Sequence, residues 1–169
     1  EIDSKDNLYV SDAGNDRIQR FDTSGKFEVV GKEGKLKIPF GVAIDSKDNL
    51  YVSDAGNDRI QRFDTSGKFV EVIGKEDNNE LAKLTRPEGI ALDNKGNLYV
   101  ADTGNNRIQK MSPDGNITSI GKYGSDIGEF NNPLGIALDN KGNLYVADTG
   151  NHRIQNIHPD GNITIIGAR

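Results

Sequence analysis

Gly89 to Gln109 reads GIALDNKGNLYVADTGNNRIQ, and Gly135 to Gln155 repeats it with one change, His152 in place of Asn106. Nearer the N-terminus, Ile2 to Phe27 (IDSKDNLYVSDAGNDRIQRFDTSGKF) recurs residue for residue as Ile44 to Phe69. The leucine of the shared NLYV segment falls at Leu8, Leu50, Leu98 and Leu144, giving periods of 42, 48 and 46 residues. Propellers and the helical HEAT and armadillo arrays all have periods of this size. Side-chain patterning separates them. Leu98 and Val100 alternate with Tyr99 and Ala101, the period of two that marks a strand. RIQKM and NITSI alternate in the same way, and no segment keeps apolar residues at i, i+3, i+4 and i+7 over three turns. Between the alternating runs stand Asn94-Lys95-Gly96-Asn97, Asp102-Thr103-Gly104-Asn105 and Pro113-Asp114-Gly115-Asn116, turn sequences in which Gly supplies a positive φ.

Each full repeat therefore reads as four short antiparallel strands. For the third they are predicted near 88–92, 97–101, 107–111 and 116–120. Four strands per unit of about 45 residues make a propeller blade. The fold class is all-β, with repeats at approximately 1–38, 39–86, 87–132 and 133–169. The first lacks most of its inner strand, since Glu1-Ile2-Asp3 matches only the tail of Ala43-Ile44-Asp45, so fifteen strands are expected. The run from Pro87 to Gln109 (PEGIALDNKGNLYVADTGNNRIQ) resembles the NHL repeat near its consensus. The resemblance covers essentially the whole chain. It implies a propeller of usually six blades, in a family that includes membrane-kinase sensor domains, RNA-binding domains and an amidating lyase. Four repeats point to part of a longer array, to a short array closed by self-association, or to a closed four-blade ring. The identity of the first two repeats fits recent tandem duplication or deliberate design.

The bulk chemistry narrows the function. Net charge is −5 and Cys is absent, so neither a basic nucleic-acid face nor a thiolate metal site is expected. Hydrophobic content is 34%, below the roughly 45–50% of average globular chains, and no apolar run approaches the roughly 20 residues of a membrane span. The compartment stays open, with an extracellular or periplasmic setting favoured. Asn116-Ile117-Thr118 and Asn162-Ile163-Thr164 match the glycosylation acceptor pattern.

The recurring motifs read as structure. D-[AT]-G-N-x-R stands at Asp12–Arg17, Asp54–Arg59, Asp102–Arg107 and Asp148–Arg153. Its Asp is expected to accept turn amides, its Gly to take a left-handed conformation, and its Arg to pair with a carboxylate on a neighbouring strand. DSKDN and DNKGN put Lys where a calcium loop needs a ligand oxygen, and read as hairpin turns. His152 and His158 fall in turns at opposite ends of one blade, so no shared metal is expected, and the lyase activity of the amidating members is not carried over. Among the inner-strand segments Glu88 is the one ionisable side chain, which fails as a catalytic set and reads as a solvated rim residue. No catalytic residue, metal or cofactor is assigned.

What varies between near-identical repeats carries the candidate site. The connections from one repeat to the next, Lys32–Ile38, Lys75–Arg86 and Lys122–Asn132, differ in length and charge, and the variable position Asp16, Asp58, Asn106, His152 is expected on their side. The candidate binding face is Asp16, Lys35, Lys37, Asp58, Asp77, Arg86, Asn106, Tyr123, Asp126 and His152. The expected function is non-catalytic binding of a protein or small ligand there, as a sensor or adhesion module. A structural repeat in a surface layer or filament is the alternative. The rest of a longer chain, or self-association, is expected to complete the ring.

Overall fold

The computed structural model describes residues 1–32, 35–74 and 79–167. They form fifteen strands in four antiparallel sheets, and the longest helical pieces are single 3-10 turns. The chain divides into two compact units, Glu1–Pro87 and Glu88–Arg169. The first holds a three-stranded sheet, β1 (Leu8–Asp12), β2 (Arg17–Phe21) and β3 (Phe27–Val30), and a four-stranded one, β4 (Pro39–Ile44), β5 (Leu50–Asp54), β6 (Arg59–Phe63) and β7 (Phe69–Ile73). The second holds two four-stranded sheets. These are β8 (Pro87–Leu92), β9 (Leu98–Asp102), β10 (Arg107–Met111) and β11 (Ile117–Ile120), then β12 (Pro133–Leu138), β13 (Leu144–Asp148), β14 (Arg153–Ile157) and β15 (Ile163–Ile166). Before β1 only a bridge between Ile2 and Leu8 stands where the other sheets have an inner strand.

Alternation along the strands decides the packing. In the first unit Tyr9, Ile18 and Val30 of the first sheet meet Leu50, Val52 and Phe63 of the second, with Leu36 closing the layer. In the second unit Ala101 and Ile108 meet Leu144, Val146 and Ile157 around Phe130. Each sheet thus has a forward face, built on Tyr and the Ile of RIQ, and a backward face, built on the Leu and Val of LYV. Strand pairing puts residues two apart on one face.

The hairpins follow their carboxylates. Asp45 Oδ1 accepts the N–H groups of Lys47 and Asn49, both at 2.9 Å, and Oδ2 accepts Asn49 Nδ2. Asp3, Asp93 and Asp139 repeat this turn. With its oxygens filled by the turn's own donors, the DSKDN/DNKGN segment is a structural hairpin. The left-handed turn position is Asp48 at φ 62 in one repeat and Gly96 at φ 81 in another.

The D-[AT]-G-N-x-R motif departs from expectation in one respect. Its Arg pairs across the hairpin as expected, Arg59 Nε lying 2.6 Å from Asp54 Oδ2. Its Gly is not left-handed. The residue two further on is, namely Asp16, Asp58, Asn106 and His152, at φ 53–55. At Gly56 and Gly150 the need for Gly has a different cause, whereas a Cβ on Gly14 would meet nothing within 4 Å. A Cβ on Gly56 would stand 2.6 Å from Lys37 Cγ and 2.8 Å from the Lys37 carbonyl oxygen, to which the Gly56 N–H donates at 2.9 Å. Gly150 is crowded in the same way by Asn131 and donates to its carbonyl at 2.8 Å.

A second left-handed residue precedes each connector proline: Ile38 at φ 48, Arg86 at φ 47 and Asn132 at φ 53. Left-handed backbone is costly for a β-branched side chain, on the order of 1–3 kcal/mol, and Ile38 is half exposed, so little burial compensates. Ile38→Asn, copying Asn132, is expected to raise stability by about 1 kcal/mol, read as a higher urea midpoint with an unchanged slope.

Candidate functional site

Each connector is built from three cues: a glycine after the outer strand, an apolar plug, and a proline three positions beyond the plug. The plugs are Leu36, Leu84 and Phe130, all buried. They fit because Gly31, Gly74 and Gly121 have no Cβ to meet them. The backbone then turns back, and the residue before the proline donates its N–H to the variable left-handed residue of the preceding sheet. Ile38 N–H reaches Asp16 Oδ1 at 2.7 Å, Arg86 N–H reaches Asp58 Oδ1 at 2.7 Å, and Asn132 N–H reaches Asn106 Oδ1 at 2.8 Å. The variable position therefore does lie beside the connectors within each unit, and its oxygen serves as a latch for them. The spacing apolar-x-x-Pro at 36–39, 84–87 and 130–133 is the signal that could have found the plugs.

Three of the sheets each carry a buried carboxylate of their own. Asp54, Asp102 and Asp148 are fully buried. Asp148 accepts the Asn131 N–H at 2.8 Å, Asn151 Nδ2 at 3.0 and 3.1 Å, Arg153 Nε at 2.7 Å and Gln155 Nε2 at 3.0 Å. Asp54 is served alike by Lys37 N–H, Asn57, Arg59 and Gln61. The Asp54 and Asp148 carboxylates are thus satisfied by donors of the chain itself.

The candidate residues fall into two sets, one per unit. In the first, Lys35, Lys37 and Arg86 are exposed, while the Lys35 carbonyl accepts Asn57 Nδ2 and the Lys37 N–H is tied to Asp54. Asp77 lies outside the described residues. In the second unit, Asn106 is the latch, Tyr123 and Asp126 stand on the connector, and His152 holds the latch position of the last sheet, where an imidazole replaces the oxygen. His158, at the other end of β14, contacts Asn143 Oδ1 at 3.0 Å and Thr164 Oγ1 at 3.2 Å. Glu88, expected as a solvated rim residue, is instead buried at 8% exposure. Position in a strand segment does not report what covers a side chain.

The 122–132 connector is the most elaborate. Arg153 donates to the carbonyls of Ser125, Asp126 and Glu129. Gln155 donates to the Glu129 carbonyl and accepts the Gly128 N–H, and Asn151 donates to the Gly124 carbonyl. Inside the loop, Gly124 N–H meets the Phe130 carbonyl and Phe130 N–H meets that of Lys122. The Asp126 N–H, then the Lys122 ammonium, hold the Glu129 carboxyl below its usual range. From this braced loop project Tyr123, 69% exposed, and Ile127, 64% exposed, the two most exposed large apolar side chains among the described residues. Neither the bracing nor the projection of Ile127 was legible in the sequence, because the bracing donors belong to β14 and its preceding turn, more than 20 positions away.

The sequence matches the virginiamycin B lyase family over residues 2–167. The chain belongs to that family. Solved structures similar to this family member include virginiamycin B lyase from Staphylococcus aureus, with a TM-score of 0.77 and 20% identity, over 100% of this chain and 54% of that one. A streptogramin B lyase has a TM-score of 0.77 and 18% identity over 99% of this chain and 53% of that one. A gluconolactonase-like protein gives 0.72 and 19% over 98% and 60%. The fold is thus an all-β propeller array, and the four sheets are its blades. The NHL resemblance leads to the same fold under another family name. The virginiamycin B lyase-family chain spans about half the length of the lyases it resembles. No curated protein sequence matches it.

Proposed function

We propose that this propeller segment is a non-catalytic recognition module that takes a protein or small ligand on its connector side, with the 122–132 loop as the principal contact. The observation that supports it is the pairing of exposure with bracing. Tyr123 and Ile127 are open to solvent, yet the backbone that carries them is bonded to Asn151, Arg153 and Gln155. A loop already held in shape loses little entropy when a partner docks, which raises affinity for a given contact area. Aromatic anchors dominate such contacts. A peptide library panned against the chain tests it. Selected binders are expected to lose at least tenfold in affinity for Tyr123→Ala/Ile127→Ala, with the thermal midpoint of the protein unmoved. Binders indifferent to both substitutions would overturn the reading.

A catalytic reading is favoured by one observation, the family itself, whose solved lyases include a catalytically inactive histidine-to-alanine variant studied with quinupristin. His152 is the exposed histidine on the connector side. Among the described residues, no group of three His, Cys, Asp or Glu side chains converges. Turnover of quinupristin by this chain, abolished by His152→Ala, would establish that reading in place of the first.

A further inference from the structure

Asp126 stands between Tyr123 and Ile127 on the 122–132 loop and is exposed with them. Its backbone groups are both engaged. The N–H donates to Glu129 Oε2 at 3.2 Å, and the carbonyl accepts Arg153 at 2.7 Å and the Glu129 N–H at 3.0 Å. The last of these bonds closes a turn with Ile127 and Gly128 at its tip, Gly128 taking φ 83. An aspartate that opens a turn ordinarily accepts the N–H two residues on. Asp22, Asp45 and Asp93 do so in this chain. Here the corresponding N–H, that of Gly128, is taken at 2.9 Å by Gln155 Oε1. The Asp126 carboxylate is left with no partner among the described residues.

The other aspartates of the second unit all have donors. Asp93 and Asp139 are filled by their hairpins, Asp102 and Asp148 by an asparagine and an arginine, and Asp114 and Asp160 by the asparagine of their turns. The remaining charges of the loop neutralise each other, Lys122 Nζ lying 3.2 Å from Glu129 Oε1. What the loop offers a partner is therefore two large apolar side chains and one unpaired anion next to Ile127 in the chain.

We infer that the partner of this loop is a cationic polypeptide segment, one that presents an Arg or Lys side chain next to an apolar one. This rests on the recognition reading above and adds the chemistry of the partner. The cation pairs with the Asp126 carboxylate while its apolar neighbour covers Ile127 and Tyr123. Water is thereby excluded from the charge pair, the setting in which close pairs couple most strongly. An acidic segment would bring a like charge against the same carboxylate and be rejected. A lone small cation would leave Tyr123 and Ile127 uncovered, so the ligand carries both kinds of group, as a polypeptide does.

Peptides selected from a random library on the 169-residue chain test it. The selected sequences are expected to place Arg or Lys beside Leu, Ile or an aromatic residue. Their affinity should fall about tenfold for Asp126→Asn, with the thermal midpoint unmoved because that carboxylate holds nothing in the fold. Raising the salt from about 0.05 to about 0.5 M should weaken binding to the parent chain and leave binding to the variant nearly unchanged. Selection on Asp126→Lys should return acidic peptides instead. Peptides without basic residues would overturn this inference and leave the recognition reading standing with an uncharged or acidic partner. So would binding that weakens for Tyr123→Ala/Ile127→Ala and is indifferent to Asp126→Asn. Peptides indifferent to all three substitutions, or a library that yields none, would overturn the recognition reading itself and this inference with it.

Discussion

Asp148→Ala is expected to destabilise the protein by about 3–5 kcal/mol, whereas the same change at Asp12 should cost under about 1 kcal/mol. The motif is the same at both places, and the surroundings differ. Asp148 has no exposed side-chain surface and its partner Arg153 has 8%, so removing the carboxylate leaves a buried guanidinium charge with only backbone carbonyls as acceptors. A buried charge left without its partner is far more costly than the pair was worth. Asp12 and Arg17 keep 22% and 37% exposure, and water can take over. Urea unfolding of the two variants side by side checks this. Equal losses would mean that the buried network contributes nothing beyond the surface pair.

Phe130→Ala is the second large effect, with an expected loss of about 3–5 kcal/mol. Its ring is fully buried and central to the second unit's core. It also stands over Gly121, where a Cβ would collide with it. The two positions therefore fit together, and the cavity left by alanine cannot be filled from the glycine side. The Phe130 backbone holds the loop through Gly124 and Lys122, so loosening should reach Tyr123 as well. Faster amide exchange at residues 123–129, together with the lower urea midpoint, is the expected signature. Phe130→Leu, copying Leu36 and Leu84, should recover more than half of the loss.

The strands were legible because their rule is local. Arg107–Met111 lies where alternation put it, the first and fourth strands of that blade differ by one residue at one end, and the second is shifted by one residue. The hairpin aspartates were legible for the same reason, since their donors lie two and four positions away. The glycine of the D-[AT]-G-N-x-R motif was misread because its constraint is not local. Residue type alone says that Gly can be left-handed; it does not say that the Lys37 carbonyl crowds Gly56 from 19 positions upstream. The same limit hid the plugs, which sit in the segments that vary most, and the burial of Glu88. Of the candidate face, Asp16, Asp58 and Asn106 each accept a connector N–H, a role hidden in the sequence because the partners lie 22 to 28 positions away.

The connector design also governs where the sequence is free to change. The step from Gly31 to Leu36 is 5 positions, from Gly74 to Leu84 it is 10, and from Gly121 to Phe130 it is 9. From plug to proline it is always 3. Nearly all the variation in repeat length is therefore confined between a fixed glycine and a fixed plug. Each connector is an insertion window with both borders anchored in a core. A lineage, or an engineer, can graft new segments there without shifting the register of the strands on either side. Specificity can diversify at one window while the latch, the plug and the buried aspartate keep the blades in step.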